Sequence, residues 1–450
     1  MVVLGGGPAG VGAAHRAALA GHRVVVLERE DHVGGVAASF EVAGVRVDHG
    51  SHRLHSATDP AILATLEELL GDDLQVRPRR GRIRLAGRWI GFPLTPVGVL
   101  TSLPPTFALR ATLDAVTSPA RSPEADTFAE VVRAGLGPTM AARFYGPYAE
   151  KLWGYAPDEL AGEQARKRIT SSTPVQLVRR VLGGRDPAAR TFRYPRRGFG
   201  QVTEALADAA VAAGADLRLG TTVTAVEEGV VRTDRGDVAA GTILSTIPLP
   251  VLARLHADAP PAVRAAAGQL ETRAMVLVYL VLDVPRWTRF DAHYLPEAWT
   301  PVTRVSEPKN YRDSLDDPPD RTVLCAELPC RVGDEVWGAD DVTLGGLVEE
   351  ALRRADLPPV GVREVRTRRL PSAYPVYRVG YEAPLEMLDA WASGLPDVLT
   401  FGRQGLFVHD NSHHALAMAW AAVDAIGPAG IDRDAWGLAR RRFASHVVED

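Results

Sequence analysis

Three glycines near the start of the chain constrain the fold more than any other feature. Residues 2–4 form a short apolar run that is typical of a buried parallel strand. Gly5, Gly7 and Gly10 follow it with the spacing G-x-G-x-x-G. In such a loop the first glycine permits a tight turn, the second lets the backbone approach a pyrophosphate, and the third lets the helix pack close to the strand. The spacing therefore predicts a strand–loop–helix unit that binds a dinucleotide.

The segment after the loop has the composition of a helix whose N-terminus faces the ligand. It is rich in alanine, and its first turn, with Pro8 and Ala9, is expected to present free N–H groups to the phosphates. A second apolar strand is expected over residues 23–27, and it ends at Glu28. An acidic residue about 20 residues after the glycines binds the ribose hydroxyls in such units, and we assign its neighbour Arg29 to the cofactor as well. A glycine-rich turn in an unrelated α/β fold is the alternative, but here all the parts of the unit occur in order.

Length, charge and cysteine content limit the classes of protein that remain. At roughly 100–200 residues per domain, 450 residues predict two or three domains. The formal net charge of −4 gives no reason to expect nucleic acid or an anionic membrane as a partner. The two cysteines, Cys325 and Cys330, have neither zinc nor C-x-x-C spacing, and the lack of a disulfide framework favours the cytoplasm.

Neither a signal peptide nor a membrane segment is expected. Residues 1–4 already have the pattern of a buried strand, which leaves no room for a leader before the fold. The best apolar candidate, residues 94–116, is broken by prolines and charged residues before it reaches the ~20 residues of a membrane span. We therefore expect no contact with a membrane surface, while a homodimer stays open.

Two further glycine motifs separate the candidate cofactors, because the first motif alone fits both NAD and FAD. Gly34 and Gly35 follow Glu28 closely, and residues 398–403 form an apolar strand that runs into Gly402 before a long helix. These features resemble the two-dinucleotide-binding-domain flavoproteins, such as amine oxidases and protoporphyrinogen oxidases. The resemblance implies FAD as the cofactor, with the late strand-to-helix turn closing the flavin site.

A nearer resemblance is to the branch that contains UDP-galactopyranose mutase and protoporphyrinogen-oxidase-like proteins, and it covers most of the chain. The segments that carry it are residues 47–55, 145–154, 165–169, 373–377 and 402–411. It implies an α/β fold with a discontinuous, Rossmann-like (GR2-type) FAD-binding domain and a mixed α/β substrate-binding domain. The arginines of the substrate segments do not all match the mutase pattern, and residue 409 is histidine where an aromatic or polar residue is often seen. The substrate therefore stays open.

The resemblance and the local patterns together divide the chain into two domains. The FAD-binding domain is expected in residues 1–95, 194–255 and 395–450, and the substrate-binding domain in residues 96–193 and 256–394. Apolar periodicity and turn residues give the local elements. The expected helices are 127–135, 140–148, 201–213 and 415–423, and the expected strands are 215–219, 223–226, 242–246 and 275–282.

Histidines near the first motif are candidates for the flavin site. His49, His52 and His55 recur every third residue, and imidazoles also bind metal ions, so a metal site is the alternative. No acidic residue lies at metal spacing, and Gly50 indicates an irregular loop. We therefore predict no metal and, by the resemblance, assign His52 to both flavin binding and catalysis.

The C-terminal motif supplies the second group of cofactor candidates. Asp410 and Asn411 are expected to cap the helix over residues 415–423 and to direct its N-terminus at the N1/O2 edge of the flavin, where it would stabilise the anionic reduced form. Arg403 follows Gly402 at a strand end, where open α/β sheets bind ligands. We expect it to contact the flavin or the pyrophosphate, with a surface salt bridge as the alternative.

Substrate contacts are expected from two other segments. Arg166 and Arg168 are candidates for holding an anion, and a solvated helix face is the alternative reading. Tyr374 and Tyr377 flank a proline and are candidates for lining the substrate cavity, although aromatic residues more often pack in a core. We take Arg166, Tyr374 and Tyr377 as catalytic candidates together with His52.

The resulting prediction is an FAD-dependent oxidoreductase that oxidises a small molecule, of the amine, porphyrinogen or sugar-nucleotide type, at the flavin N5. One alternative is a sugar-nucleotide mutase that uses reduced FAD without net redox change, and another is a flavin-binding protein without catalysis. The chain has no G-x-S-x-G elbow, so acyl transfer is not expected.

Overall fold

The computed structural model describes residues 1–92, 102–117, 125–168 and 191–448, so residue 169 of the substrate motif and residues 94–101 of the apolar segment lie outside the described residues. The strands are β1 (Val2–Leu4), β2 (Val25–Leu27), β3 (Ser39–Val42), β4 (Val45–Asp48), β5 (Leu74–Pro78), β6 (Gly81–Leu85), β7 (Arg88–Phe92), β8 (Thr191–Pro195), β9 (Asp216–Arg218), β10 (Val223–Glu227), β11 (Val230–Thr233), β12 (Gly236–Ala239), β13 (Ile243–Ser245), β14 (Glu271–Leu282), β15 (Ala292–Tyr294), β16 (Arg304–Ser306), β17 (Thr322–Cys330), β18 (Val362–Val376), β19 (Val398–Thr400), β20 (Ile426–Gly427) and β21 (Gly430–Ile431).

The α-helices are α1 (Pro8–Leu19), α2 (Pro60–Leu70), α3 (Pro105–Thr117), α4 (Phe128–Met140), α5 (Gly146–Trp153), α6 (Gly162–Arg168), α7 (Gln201–Ala212), α8 (Leu249–Leu255), α9 (Pro261–Ala267), α10 (Glu335–Gly338), α11 (Asp341–Arg354), α12 (Glu382–Gly394), α13 (Gly402–Gly405), α14 (Ser412–Asp424) and α15 (Arg433–Phe443). A π-helical turn, Ala141–Tyr145, joins α4 to α5.

A five-stranded parallel sheet with the order β19–β13–β1–β2–β9 carries the glycine motif. Strands β1, β13 and β19 are buried along their whole length, as expected where helices or strands cover both sides of a sheet, whereas the edge strand β9 is largely exposed. On one face Val3 joins a core with α1 and α14, which approach closely because they meet through small side chains such as Ala13 and Ala419. On the other face Val2 and Leu4 pack against residues of β10, β11 and β12. The parallel order sends the loops after β1, β2, β13 and β19 to the same edge, where ligands bind in such sheets.

A seven-stranded mixed sheet, in the order β18–β14–β17–β16–β15–β6–β7, forms the second layer system. Strand β14, the second in this order, is buried from Ala274 onward and pairs in antiparallel fashion with β17 and β18. One face of β14 packs against α11, and the opposite face packs against the β3–β4 hairpin. Tyr279 on that second face donates its hydroxyl to the carbonyl of Asp48 at 2.7 Å. The contact fixes the start of the predicted histidine segment against the second sheet.

The fold class predicted from the sequence is confirmed, and most local elements lie where they were expected. The strand expected at 275–282 begins earlier, at Glu271, and the second strand of the glycine unit begins later, at Val25. The two helices expected at 127–135 and 140–148 are α4, the π-helical turn and α5. Between them Gly137 has a φ of 83° and precedes Pro138. Proline disfavours helical geometry at the residue before it, so the break that we predicted between the two helices takes the form of a kink at Gly137.

Strands β6 and β7 pair with β15 in the second sheet, although we placed residues 1–95 in the FAD-binding domain. The pairing favours a first boundary near residue 80, and the remaining boundaries stay predictions. Within the described ranges, no helix combines the length and apolar character needed to cross a bilayer.

Candidate functional site

A cavity of about 1030 Å³ runs from the carboxyl edge of the parallel sheet to strand β18 of the second sheet. Gly7 and Glu28 lie in its wall at the first end, and Tyr374 lies at the other. The wall residues include nine arginines and four carboxylates. Since low-dielectric walls focus the field of such an excess, the cavity favours anions.

The glycine loop has the geometry of a phosphate cradle. Gly5 has a φ of +101°, and a Cβ placed at Gly10 would lie 1.9 Å from the Gly5 carbonyl oxygen, so neither position accepts a side chain. A Cβ at Gly7 would meet no protein atom within 4 Å, because this position faces the cavity. The N-terminus of α1 follows, with Pro8 and Ala9 in the cavity wall. These positions are the ones at which bare backbone and a helix dipole bind a pyrophosphate.

The glycine doublet supports the loop from behind. Gly34 donates its backbone N–H to the carbonyl of Gly6 at 2.8 Å. Gly35 lines the cavity, and a Cβ there would lie 3.5 Å from Gly7. Both have positive φ, 111° and 52°. The doublet therefore fixes the loop, and Gly35 also borders the space in front of it.

Glu28 both lines the cavity and anchors the loop. Its Oε2 accepts the N–H of Gly6 at 2.6 Å, and its Oε1 accepts the N–H of Glu30 at 2.9 Å. The side chain is buried yet remains in the cavity wall, as a ribose ligand must be. Arg29 also lines the cavity, but its guanidinium is exposed and pairs with Glu30.

Two buried histidines face the same cavity. His49 donates Nδ1–H to the carbonyl of Gly35 at 3.1 Å, and His52 donates Nε2–H to the carbonyl of His49 at 3.1 Å. Burial lowers the pKa of His49 to about 3 and also lowers the pKa of His52. Both imidazoles are therefore neutral near pH 7 and present lone pairs rather than charge. The Nε2 atom of His49 is buried without a hydrogen-bond partner among the described residues.

A pair of arginines surrounds Tyr374 at the far end of the cavity. The guanidinium carbon of Arg168 lies 4.7 Å from the centre of the Tyr374 ring, and that of Arg403 lies 4.9 Å from it. Arg403 donates to the carbonyl of Ala373 at 2.7 Å. Neither guanidinium forms an ion pair with a carboxylate in the described parts of the chain. Burial, and then the positive charge of Arg168, lower the pKa of Arg403 to about 10. Arg403 is therefore still charged near pH 7, and the positive charge of Arg168 acts against it.

Two other arginines of the cavity wall, Arg304 and Arg53, are each paired with a carboxylate. Arg304 binds both carboxylate oxygens of Glu327 at 2.7 and 2.8 Å, and Glu327 also accepts the N–H of Ser51 at 2.9 Å. Arg53 lies 3.3 Å from Asp291. These residues were not predicted from the sequence, since they come from distant segments; only Ser51 and Arg53 lie in a motif that we singled out.

Arg166 and Tyr377, two of the four catalytic candidates, do not reach the cavity wall. Arg166 pairs with Glu163 at 3.0 Å, and half of its side chain is exposed. Tyr377 is buried, donates its hydroxyl to the carbonyl of Phe407 at 2.8 Å, and stacks on Tyr381. Their environments match the alternative readings, a solvated helix face and core packing.

The C-terminal motif closes the cavity between the two sheets. Gly402 has a φ of +78°, and a Cβ there would lie 2.8 Å from the Cβ of Ala9, so the turn packs directly on α1. Asn411, rather than Asp410, is the N-cap of α14, in a capping box with His414. Asp410 lines the cavity, and its side chain contacts His414. We expected both residues to cap the helix, but only Asn411 does so.

One grouping in this region has the geometry of a possible metal site. Asp410, His414 and His446 each place one ligand atom within 4.8 Å of the others. We predicted no such grouping from the sequence, because His446 lies near the C-terminus, far along the chain from the motif that contains Asp410 and His414. The absence of a metal stays a prediction.

A family model decides how these features are to be understood. The model of flavin-containing amine oxidoreductases matches residues 8–415. The chain belongs to the flavin-containing amine oxidoreductases. Its cofactor is FAD, and it is an enzyme, as the sequence analysis predicted.

Individual relatives differ in their activities. Coproporphyrinogen III oxidase of Propionibacterium freudenreichii subsp. freudenreichii is 28% identical over 351 residues, which are 66% of this chain and 66% of that protein. A putative flavin-containing monoamine oxidase of Mycobacterium tuberculosis is 25% identical over 309 residues, 64% of this chain and 65% of its own length. The chain thus spans about two thirds of the length of these relatives.

Solved structures confirm the fold of this flavin-containing amine oxidoreductase. Reduced UDP-galactopyranose mutase superposes with a TM-score of 0.81 at 20% identity, covering 100% of this chain and 99% of that one. A putative protoporphyrinogen oxidase from Exiguobacterium sp. 255-15 gives 0.73 at 20% identity, covering 94% and 98%. Putrescine oxidase bound to putrescine gives 0.65 at 17% identity, covering 94% and 97%.

The residues present fit FAD. Gly7 leaves open space for a pyrophosphate, and the unpaired Nε2 of His49 faces the cavity farther along. Bound there, FAD supplies hydride and electron transfer. Glu28 would hold a ribose, while Arg403 and Asp410 would lie toward the flavin ring. Residues 221–223 also line the cavity. We predicted the strand that begins at residue 223 but not its place in the site, because the segment carries no distinctive spacing.

Proposed function

We propose that this enzyme oxidises a small organic molecule that carries carboxylate groups, and that a porphyrinogen is its substrate class. The observation that carries the proposal is the pair of guanidiniums around Tyr374. Arg168 and Arg403 lie within 5 Å of one ring, without a carboxylate partner among the described residues. Both side chains are half-buried, and two like charges so close together without a carboxylate favour the binding of an anion between them or beside them.

The same pair argues against an amine substrate. A protonated amine would meet two guanidiniums, and the lowered pKa of Arg403 reflects how positive this end of the cavity already is. Arginine presents a planar fork of N–H groups that matches a carboxylate in bidentate geometry. The propionate groups of a porphyrinogen offer such carboxylates, and the relative that is 28% identical is a coproporphyrinogen oxidase.

The chain's own residues would bind and orient the substrate. Tyr374 would present its ring as a platform, with Arg168 and Arg403 beside it holding carboxylates. His52 would be a neutral imidazole of the wall, with Nδ1 available to accept a proton since Nε2–H is donated to His49. Bound FAD would supply the hydride acceptor for each oxidation, and the proton would leave through such a base or water.

Anaerobic mixing of the purified holoenzyme with coproporphyrinogen III tests the proposal. We expect the oxidised flavin absorbance near 450 nm to bleach, and oxygen to restore it with formation of porphyrin fluorescence. Putrescine is the control, and it should leave the spectrum unchanged. Bleaching by putrescine, with none by coproporphyrinogen, would contradict the proposal.

A sugar-nucleotide mutase is the second candidate, because the likeness to UDP-galactopyranose mutase extends over the whole chain. The two arginines would then hold a diphosphate, which is also a bidentate anion. Dithionite-reduced enzyme incubated with UDP-galactopyranose distinguishes the two. Formation of the furanose isomer would favour the mutase. If coproporphyrinogen III does not reduce the flavin and the reduced enzyme does not convert UDP-galactopyranose, a non-catalytic flavoprotein would be favoured.

A further inference from the structure

The last described residues of the chain form part of the cavity wall. After α15, residues 444–448 cross to α6 of the substrate-binding region. There Lys167 donates its ammonium group to the carbonyls of Ala444 and His446 at 2.5 and 2.9 Å, and Val448 donates its N–H to the carbonyl of Lys167 at 2.9 Å. Val448 is buried and lines the cavity. Hydrogen bonds donated by Lys167 and by Val448 thus hold this C-terminal segment, residues 444–448, against α6.

Within the C-terminal segment, His446 reaches a carboxylate at the start of α14. Its Nδ1 lies 3.3 Å from Oδ1 of Asp410, whose side chain is only 2% exposed. The His446 ring also stacks on the ring of His414, with centroids 4.0 Å apart and an interplanar angle of 15°. Parallel stacking keeps the two ring planes from converging on one point, which suits a hydrogen bond better than coordination of a shared metal ion.

The neighbouring imidazole is poorly placed to serve as the donor. Nδ1 of His414 lies 3.1 Å from Oδ1 of Asp410, but it accepts the backbone N–H of Asn411 at 3.3 Å as part of the capping box. A ring nitrogen that accepts this bond carries a lone pair and has no proton to donate. Oδ1 of Asp410 and Nδ1 of His446 both lack a hydrogen-bond partner among the described residues, and a proton on that nitrogen would give the carboxylate its missing donor.

We propose that His446 is a positioning residue of the flavin site, which holds the Asp410 carboxylate at the N-terminus of α14 and offsets its negative charge. The inference rests on FAD binding and is independent of the substrate. Asp410 lines the cavity, so its charge acts on the bound flavin. The other charged or titratable groups that face it are Arg403, Tyr377 and His414. Without the His446 contact, the carboxylate would oppose the anionic reduced flavin more strongly.

The midpoint potential of the bound flavin, measured spectroelectrochemically in the holoenzyme, tests this role. In His446→Ala we expect the reduction equilibrium to fall about tenfold, which for a two-electron couple is about 30 mV. His446→Asn should recover most of the shift, since its amide nitrogen occupies the place of Nδ1 and still donates. Ser445→Ala, in the same segment but exposed and outside the cavity wall, is the matched control and should change the equilibrium less than twofold.

Three results would overturn the inference. They are an unchanged potential in His446→Ala, an equal shift in Ser445→Ala, and one equivalent of tightly bound zinc in the purified protein, which would replace the contact by coordination. If His446→Ala loses its flavin, His446→Asn and His446→Gln carry the test: Asn should keep a potential close to that of wild type, and equal shifts in the two variants would overturn the inference.

Discussion

Replacing Arg168 by glutamine tests the anion site, because the substitution removes one of two unpaired cations while keeping a polar side chain of similar length. A hydrogen bond to a charged group contributes about 1.5–3 kcal/mol, so the KM for an anionic substrate should rise roughly 10- to 150-fold. Arg403 cannot compensate: its pKa of about 10 means that it is already charged near pH 7. We expect kcat to change little, since the lost contact holds a remote carboxylate in ground and transition states alike.

Arg166→Gln is the matched control. It lies on the same helix two residues earlier, pairs with Glu163 and is half exposed, so its KM should stay within about twofold, as expected for an exposed pair. Oxygen uptake with coproporphyrinogen III gives kcat and KM, and titration of the oxidised enzyme with coproporphyrin III gives a binding constant without turnover. Equal effects of the two substitutions, or no effect of Arg168→Gln, would refute the assignment of the arginine pair to an anion.

Three further predictions address the cofactor loop, the aromatic platform and a buried lysine. Gly7→Ala meets no protein atom within 4 Å, so the apoprotein should melt as wild type does while FAD affinity falls at least tenfold, about 1.4 kcal/mol, by fluorescence titration; an unchanged affinity would place the pyrophosphate elsewhere. Tyr374→Leu removes two cation–π contacts of about 0.5–1 kcal/mol each, so KM should rise roughly 5- to 30-fold with kcat within twofold, and a collapse of kcat alone would contradict this. Burial lowers the pKa of Lys151 to about 7, so from pH 7 to about 10 the unfolded chain binds more protons than the folded protein. The free energy of unfolding should therefore rise by about 2 kcal/mol between pH 7 and 9, and denaturant titrations at the two pH values should show no such rise in Lys151→Met.

The cofactor end of the site could be predicted because its chemistry depends on backbone spacing. Gly5 and Gly10 occupy positions from which sterics exclude a side chain, Gly7 lies between them where the backbone faces the cavity, and Glu28 follows at the distance set by one helix and one strand. The late turn at Gly402 could be predicted for the same reason. Each of these features is local in sequence, so its pattern survives without knowledge of the rest of the fold.

The substrate end depends on orientation and on distant pairing, and sequence patterns do not contain either. Arg166 and Arg168 are two residues apart on a helix, which places them about 200° apart around its axis; only one can face the cavity, and the pattern did not say which. Arg304 meets Glu327 through the pairing of β16 with β17. His446 meets Asp410 although the two are 36 positions apart in the chain, with α15 between them.

The strand order of the parallel sheet has a consequence for the biosynthesis of the enzyme. Strand β13, from the middle of the chain, lies beside β1, which the ribosome makes first, and β19, from near the end of the chain, lies beside β13. A nascent chain thus displays its glycine loop long before the partners that enclose the ring system exist. Flavin insertion is therefore expected only after translation has passed the Asp410 turn, and chains still attached to ribosomes should carry none.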